Sequence, residues 1–127
     1  MQEQHLYEYA VIRVLPMVER EEFLNVGIVL FCKKAKFIKV LYTISHKKIN
    51  CFSIDLDLLQ LEKNLNSFQK IANGNLDSGP IAQFDIPSRF RWLTALRSSI
   101  IQTSRPHPGI CDNLEKTTIR LFEEMVL

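Results

Sequence analysis

Apolar and polar positions alternate along residues 6–14, LYEYAVIRV, which sets Tyr7, Tyr9, Val11 and Arg13 on one face of an extended segment and Ala10, Ile12 and Val14 on the other. Aromatic and β-branched side chains suit such a pleated surface, so the pattern predicts a strand. Pro16 ends it, because proline has no N–H to give to a ladder. Residues 25–32, NVGIVLFC, are apolar almost without a break, the pattern of a central strand covered on both faces. Gly27 inside that run marks a bulge or a close approach of backbone. A polar turn at 33–36 leads to a third strand over residues 37–43, FIKVLYT, and connections this short make the three an antiparallel meander.

The period then changes. Ile54, Leu58, Leu61, Leu65, Phe68 and Ala72 recur at steps of three and four, one stripe of a helix that lies across the sheet. Asp55 or Asp57 caps its first turn and Gly74 stops its last. Residues 73–79, NGNLDSG, form a loop by composition, and residues 80–87 show no clear period. Ser88 caps a short helix running to Leu96, and residues 99–103, SIIQT, read as a fourth strand. Pro106 and Pro108 make 106–109 a rigid loop, since each removes a backbone donor. Asp112 or Asn113 starts a final helix with Leu114, Thr118, Leu121, Phe122 and Met125 as its apolar stripe. The expected architecture is α+β: an antiparallel sheet of about four strands, the three-stranded meander plus one later strand, covered by two or three helices. All of it belongs to a single domain over residues 1–127.

Composition leaves that picture in place. With 127 residues, 46% hydrophobic and 24% charged, the chain has the balance of a globular domain that buries about two thirds of its unfolded surface. A formal charge of +2 is too small to argue for nucleic acid by itself, so that partner class stays open. Cys32, Cys51 and Cys111 are scattered, as are His5, His46 and His107, and none has zinc-ligand spacing. No metal and no cofactor is expected. Cys32 and Cys51 border apolar runs and read as small buried side chains. Glu3, Glu8 and Arg13 interrupt any apolar leader, and the run at 26–32 is too short to cross a bilayer. The expectation is a cytoplasmic protein without a membrane partner.

Local charge changes the picture more. One constellation is Arg13, Glu19, Arg20, Glu21, Glu22 and Asn25, where a charged connection leaves one strand and enters the next. Glu19 and Glu21 are read as solvated turn charges, whereas Glu22 and Asn25, nearest the apolar strand, are candidates for a specific role. The other is residues 88–109, SRFRWLTALRSSIIQTSRPHPG, which gathers Arg89, Arg91, Arg97, Arg105 and His107 around Trp92. Arginine presents a planar fork of donors that matches carboxylate and phosphate and stays charged at any physiological pH. Trp92 is read as the anchor of the short helix on the sheet, with a base-stacking platform as the sharper alternative. His107, held between two prolines, is a structural side chain on the plain reading and an acid or base on the sharper one, with Glu22 or Glu19 to orient it.

Three blocks carry a resemblance: YEYAVIRVLPMVEREEFLNVGIVLFC at 7–32, GPIAQF at 79–84, and RFRWLTALRSSIIQTSRPHPGIC at 89–111. Together they resemble the bacterial family of domain of unknown function 3037. The resemblance marks Arg13, Arg20, Glu21, Asn25, Gly27, Arg91, Trp92, Arg97, Ser98, His107 and Gly109 as pattern positions. Met17, where arginine is common, and Leu96, where proline is usual, depart from it. No activity comes with the resemblance. Members are often encoded beside a kinase similar to the persistence toxin HipA, which implies a partner or regulator of such a kinase.

Two functions are expected from these residues. The first is a small interaction or regulatory module whose polar surface, drawn from Arg13, Arg20, Asn25, Arg91, Arg97 and His107, binds an anionic ligand or a protein partner. The alternative is an enzyme acting on a phosphate-bearing substrate, nucleotide or nucleic acid, in which His107 is the acid or base, Glu22 orients it, and Arg91 and Arg97 stabilise developing charge. The first requires the two polar segments to share a surface; the second requires them to converge on one point.

Overall fold

The computed structural model describes residues 4–15, 22–50, 57–75, 77–95 and 100–127. The described strands β1 (His5–Val14), β2 (Leu24–Cys32), β3 (Phe37–Tyr42), β4 (Ile101–Thr103) and β5 (His107–Cys111) make one antiparallel sheet. The helices are α1 (His46–Asn50), α2 (Leu58–Asn73), α3 (Ile86–Leu93) and α4 (Leu114–Met125), with a 3₁₀ turn at Pro80–Gln83 before α3. This is the expected α+β class. The meander β1-β2-β3 is present, with β3 at one edge.

The other edge differs from expectation. Both β4 and β5 pair with β1, β4 over Ile12–Val14 and β5 over His5–Tyr9, so they lie end to end along one side of it. Ser104 bridges the gap: its buried hydroxyl accepts from the Val11 N–H at 2.9 Å, and its own N–H donates to the Val11 carbonyl at 2.8 Å. Residues 107–109, expected as rigid loop, therefore belong to a fifth strand. Proline is tolerated there because β5 pairs on one side only, and an edge strand has no second ladder for Pro108 to break.

Each face of the sheet has its own core. Ala10, Ile12, Val14, Val29, Phe31 and Val40 pack under α2 and α3, with the Phe31 and Phe90 rings stacked at 4.8 Å. Tyr7, Val11, Ile28, Leu30 and Cys32 pack under α4 through Leu114, Leu121 and Val126. β2 is buried on both faces, which is why its sequence is apolar without alternation. Each large aliphatic side chain hidden this way contributes about 1.5–3 kcal/mol, the principal stabilisation of the fold. Gly27 sits at a β-bulge, where Ile12 pairs with Gly27 but Arg13 pairs with Asn25, so Val26 is the extra residue.

Helix ends follow from local chemistry, with one correction. Asp57 caps α2 by accepting from the Gln60 N–H at 3.1 Å, and Gly74 ends it at φ 72°, the left-handed conformation glycine adopts freely. Asp55 lies outside the described residues, as do Ile54, Pro16 and Cys51. The short helix is capped by Asp85, not Ser88: the Ser88 N–H donates to Asp85 Oδ1 at 2.9 Å, and Ser88 is already in the first turn. Pro87 beside it needs no N–H partner there. Asn113 caps α4, accepting from the Lys116 N–H at 3.0 Å.

Candidate functional site

Alternation along β1 puts Arg13 on the α4 face, and the ladder sets Asn25 on one side of it and Gln102 on the other. The Arg13 guanidinium carbon stands 4.1 Å from the centre of the Phe23 ring, a stacking contact that restrains a flexible side chain. Asn25 donates from Nδ2 to the Met125 carbonyl at 3.0 Å, and Lys48 Nζ donates to the Val126 carbonyl at 2.8 Å. Both bonds satisfy carbonyls at the end of α4 that the helix itself leaves open, and Lys48 sets a positive charge against the negative end of the helix dipole. Once those contacts are made, Arg13 Nε and Asn25 Oδ1 are buried without a hydrogen-bond partner among the described residues.

Further along the same face, Tyr9 and His107 pair across β1 and β5 with ring centres 5.4 Å apart. His107 is exposed, as is the neighbouring Arg105. Tyr7 is packed over Gly109, and any Cβ at Gly109 would run into its ring. Burial pushes the Tyr7 phenol above its ordinary value, with the nearby positive charge of Arg120 pulling the other way. The α4 face thus carries a polar strip from Asn25 and Arg13, through Gln102, to Tyr9 and His107.

Arg91 is placed elsewhere. It is exposed on α3, whose Phe90 and Leu93 pack into the core on the opposite face, so the sheet stands between Arg91 and His107. Arg20 and Arg97 fall outside the described residues, together with Glu19, Glu21 and Ser98. Glu22 is exposed just before β2. The structure therefore brings Arg13, Asn25 and His107 to one face and leaves Arg91 off it.

Two other residues of the basic stretch have structural settings. Arg89 Nη1 donates to the Ala72 carbonyl at 3.1 Å and so closes the C-terminus of α2, close against Gly74. Trp92, expected as an anchor in the core, is 39% exposed and lines an open groove of about 380 Å³ with Phe68, Ile71, Ile100 and Ile101. On a short helix, Phe90 and Leu93 take the inward stripe and leave Trp92 at its margin.

Gln102 and Phe23 were not distinguished by sequence reasoning. Gln102 carries no local signal, since only the β1–β4 register sets it beside Arg13. Among the described residues, no group of three or more His, Cys, Asp or Glu side chains could hold a metal ion, and no helix is long and apolar enough to cross a membrane. The strip offers a guanidinium restrained by Phe23, whose planar fork suits a carboxylate or phosphoryl group, while the Asn25 amide donor is taken up by Met125.

Fold and strip define an α+β domain with an open antiparallel sheet, helices on both faces and a polar row along β1 that includes the Arg13 guanidinium. The chain belongs to the protein family of unknown function DUF3037, whose model matches residues 9–126. Comparison with the curated proteins and with the solved structures returned no match.

Proposed function

We propose that the chain is a small interaction module that captures an anionic group of its partner at Arg13. The observation that supports this reading is the setting of that guanidinium: stacked on Phe23 at 4.1 Å and restrained between Asn25 and Gln102 on the neighbouring strands. An arginine held in place beforehand loses little entropy when it binds, and its fork takes a carboxylate or phosphate oxygen pair. His107 lies further along the same face opposite Tyr9, and Arg105 is exposed two residues before it. The partner placed first is a HipA-like kinase, in keeping with the resemblance that the sequence carries.

Titration of the isotope-labelled chain with inorganic phosphate and with acetate tests the site itself. Amide and guanidinium signals of Arg13, Asn25 and Gln102 should move together, and R13Q should abolish the response while R91Q leaves it intact. Co-purification with the kinase tests the partner, R13Q again being the variant that loses it. Shifts confined to other basic residues, or an unchanged response in R13Q, would overturn the reading.

A further inference from the structure

Leu6 and Ile110 are 68% and 63% exposed, yet they stand directly opposite each other on β1 and β5. Single exposed aliphatic side chains are ordinary, whereas a cross-strand pair next to a concavity marks a surface suited to a partner. The alternation that buries Ala10, Ile12 and Val14 under α2 and α3 puts Leu6 and Glu8 on that same face, beyond the part the helices cover. There Leu6, Glu8, Phe31, Lys33 and Pro108 line a cleft of about 230 Å³, which Tyr7 also borders although its side chain packs on the α4 face.

Beside the cleft is the turn between β2 and β3, with Lys33, Lys34 and Lys36 all exposed. The turn is closed by a 3.2 Å bond from the Lys36 N–H to the Lys33 carbonyl, and Lys36 holds a φ of 52°. Lys39, a little further on, is paired with Glu115 at 2.6 Å, but none of the three turn lysines has an ion pair among the described residues. Glu8 is the one acidic residue lining the cleft among those described, so among these residues the lysines outnumber it.

An aliphatic and aromatic floor beside three uncompensated lysines calls for one complement: an apolar side chain to fill the cleft and carboxylates to meet the ammonium groups. A concave floor suits an inserted side chain better than a flat lipid surface. Pro108 has no N–H to offer an incoming strand, so the occupant lies across the face and does not extend the sheet. We propose that this corner docks an acidic amphipathic segment of a partner protein, seated between the Leu6–Ile110 pair and the lysines of the β2–β3 turn. It lies on the opposite face of the sheet from Arg13 and at the other end of β1, and is independent of that site.

The test is an NMR titration of the full chain with a short synthetic peptide in which a Leu-Phe pair is flanked by glutamates. The same peptide with the pair changed to serines, and vesicles of phosphatidylcholine and phosphatidylserine in equal parts, serve as competitors. Saturable shifts are expected at the amides of Leu6, Phe31, Lys33 and Ile110. The triple variant K33E/K34E/K36E should bind about tenfold more weakly, three modest ion pairs being lost together. I110S should weaken binding too, and R13Q should leave it unchanged. Every substituted side chain in the weakening variants is exposed, and circular dichroism checks that each stays folded. The proposal fails if the glutamate peptide leaves these amides unmoved, if the serine peptide binds equally well, or if only the vesicles move them. It also fails if the chain self-associates through this corner and K33E/K34E/K36E disperses it, since the occupant is then a second copy.

Discussion

Asn25 faces Arg13 across β2 and β1 and donates from Nδ2 to the Met125 carbonyl at 3.0 Å, tying the last turn of α4 to the sheet. Residues a hundred positions apart thereby share one bond. N25A should cost about 1–2 kcal/mol, because the lost bond leaves a helix-end carbonyl without its partner. Hydrogen exchange should quicken in the last turn of α4 before it does elsewhere. Unchanged protection there would mean that Lys48 alone holds the helix end.

Gly27 has a different kind of necessity. A Cβ at that position would lie 2.5 Å from the Leu41 carbonyl oxygen and 3.0 Å from Tyr42 Cβ, and the oxygen belongs to backbone in the neighbouring strand. β3 cannot give way without stretching its ladder. G27A is expected to destabilise the chain by about 3 kcal/mol, read as a lower urea midpoint with an unchanged slope.

Gly109 and Tyr7 form a coupled pair. G109A drives a methyl group into the Tyr7 ring, at an expected cost of about 1–3 kcal/mol. Y7A removes a buried aromatic ring and should cost about 3–5 kcal/mol alone. The double variant should lose less than the sum of the two, by about 1 kcal/mol, since the alanine at 109 then meets open space. A double-mutant cycle measures the difference, and strict additivity would show that the ring is held by other contacts.

Stability should respond to pH through two groups. The Ser88 hydrogen bonds hold the Asp85 carboxyl below its ordinary value of 3.8, so in acid the unfolded chain binds more protons than the folded one. The contribution is complete above the ordinary value and is lost as pH falls through the lowered one; D85N should remove this acid-dependent part. Tyr7 acts in the other direction. Its phenol is raised above 10.0 by burial, so the stabilisation it carries is present below that pH and is lost as pH rises beyond it. Y7F should flatten the alkaline limb, and carboxyl and phenol NMR titrations locate both groups.

Local patterns that need only a few neighbouring residues were legible in the chain. The alternation at 6–14, the unbroken apolar run after Asn25, the stripe from Leu58 to Ala72 and the cap at Asn113 each correspond to an element of the structure. Their faces were legible too, since period 2 and period 3.6 dictate which side chains point inward. Part of the strip could be read in this way, because Arg13 shares a face with Tyr7 and Tyr9.

Pairing and layering were decided only in three dimensions. Nothing local to residues 107–109 announces a strand; they become one because the first half of β1 has a free edge that β5 completes. Ser88 looks like a cap until Asp85, three residues earlier, is seen to take that place. Arg91 and His107 are near in sequence and lie on opposite faces, whereas Arg13 and Gln102 are far apart in sequence and adjacent in space. The physical reason is the same in each case. Hydrophobic periodicity fixes the orientation of a residue within its own element, but which elements become neighbours depends on hydrogen bonds and burial between segments as far apart as Val11 and Ser104.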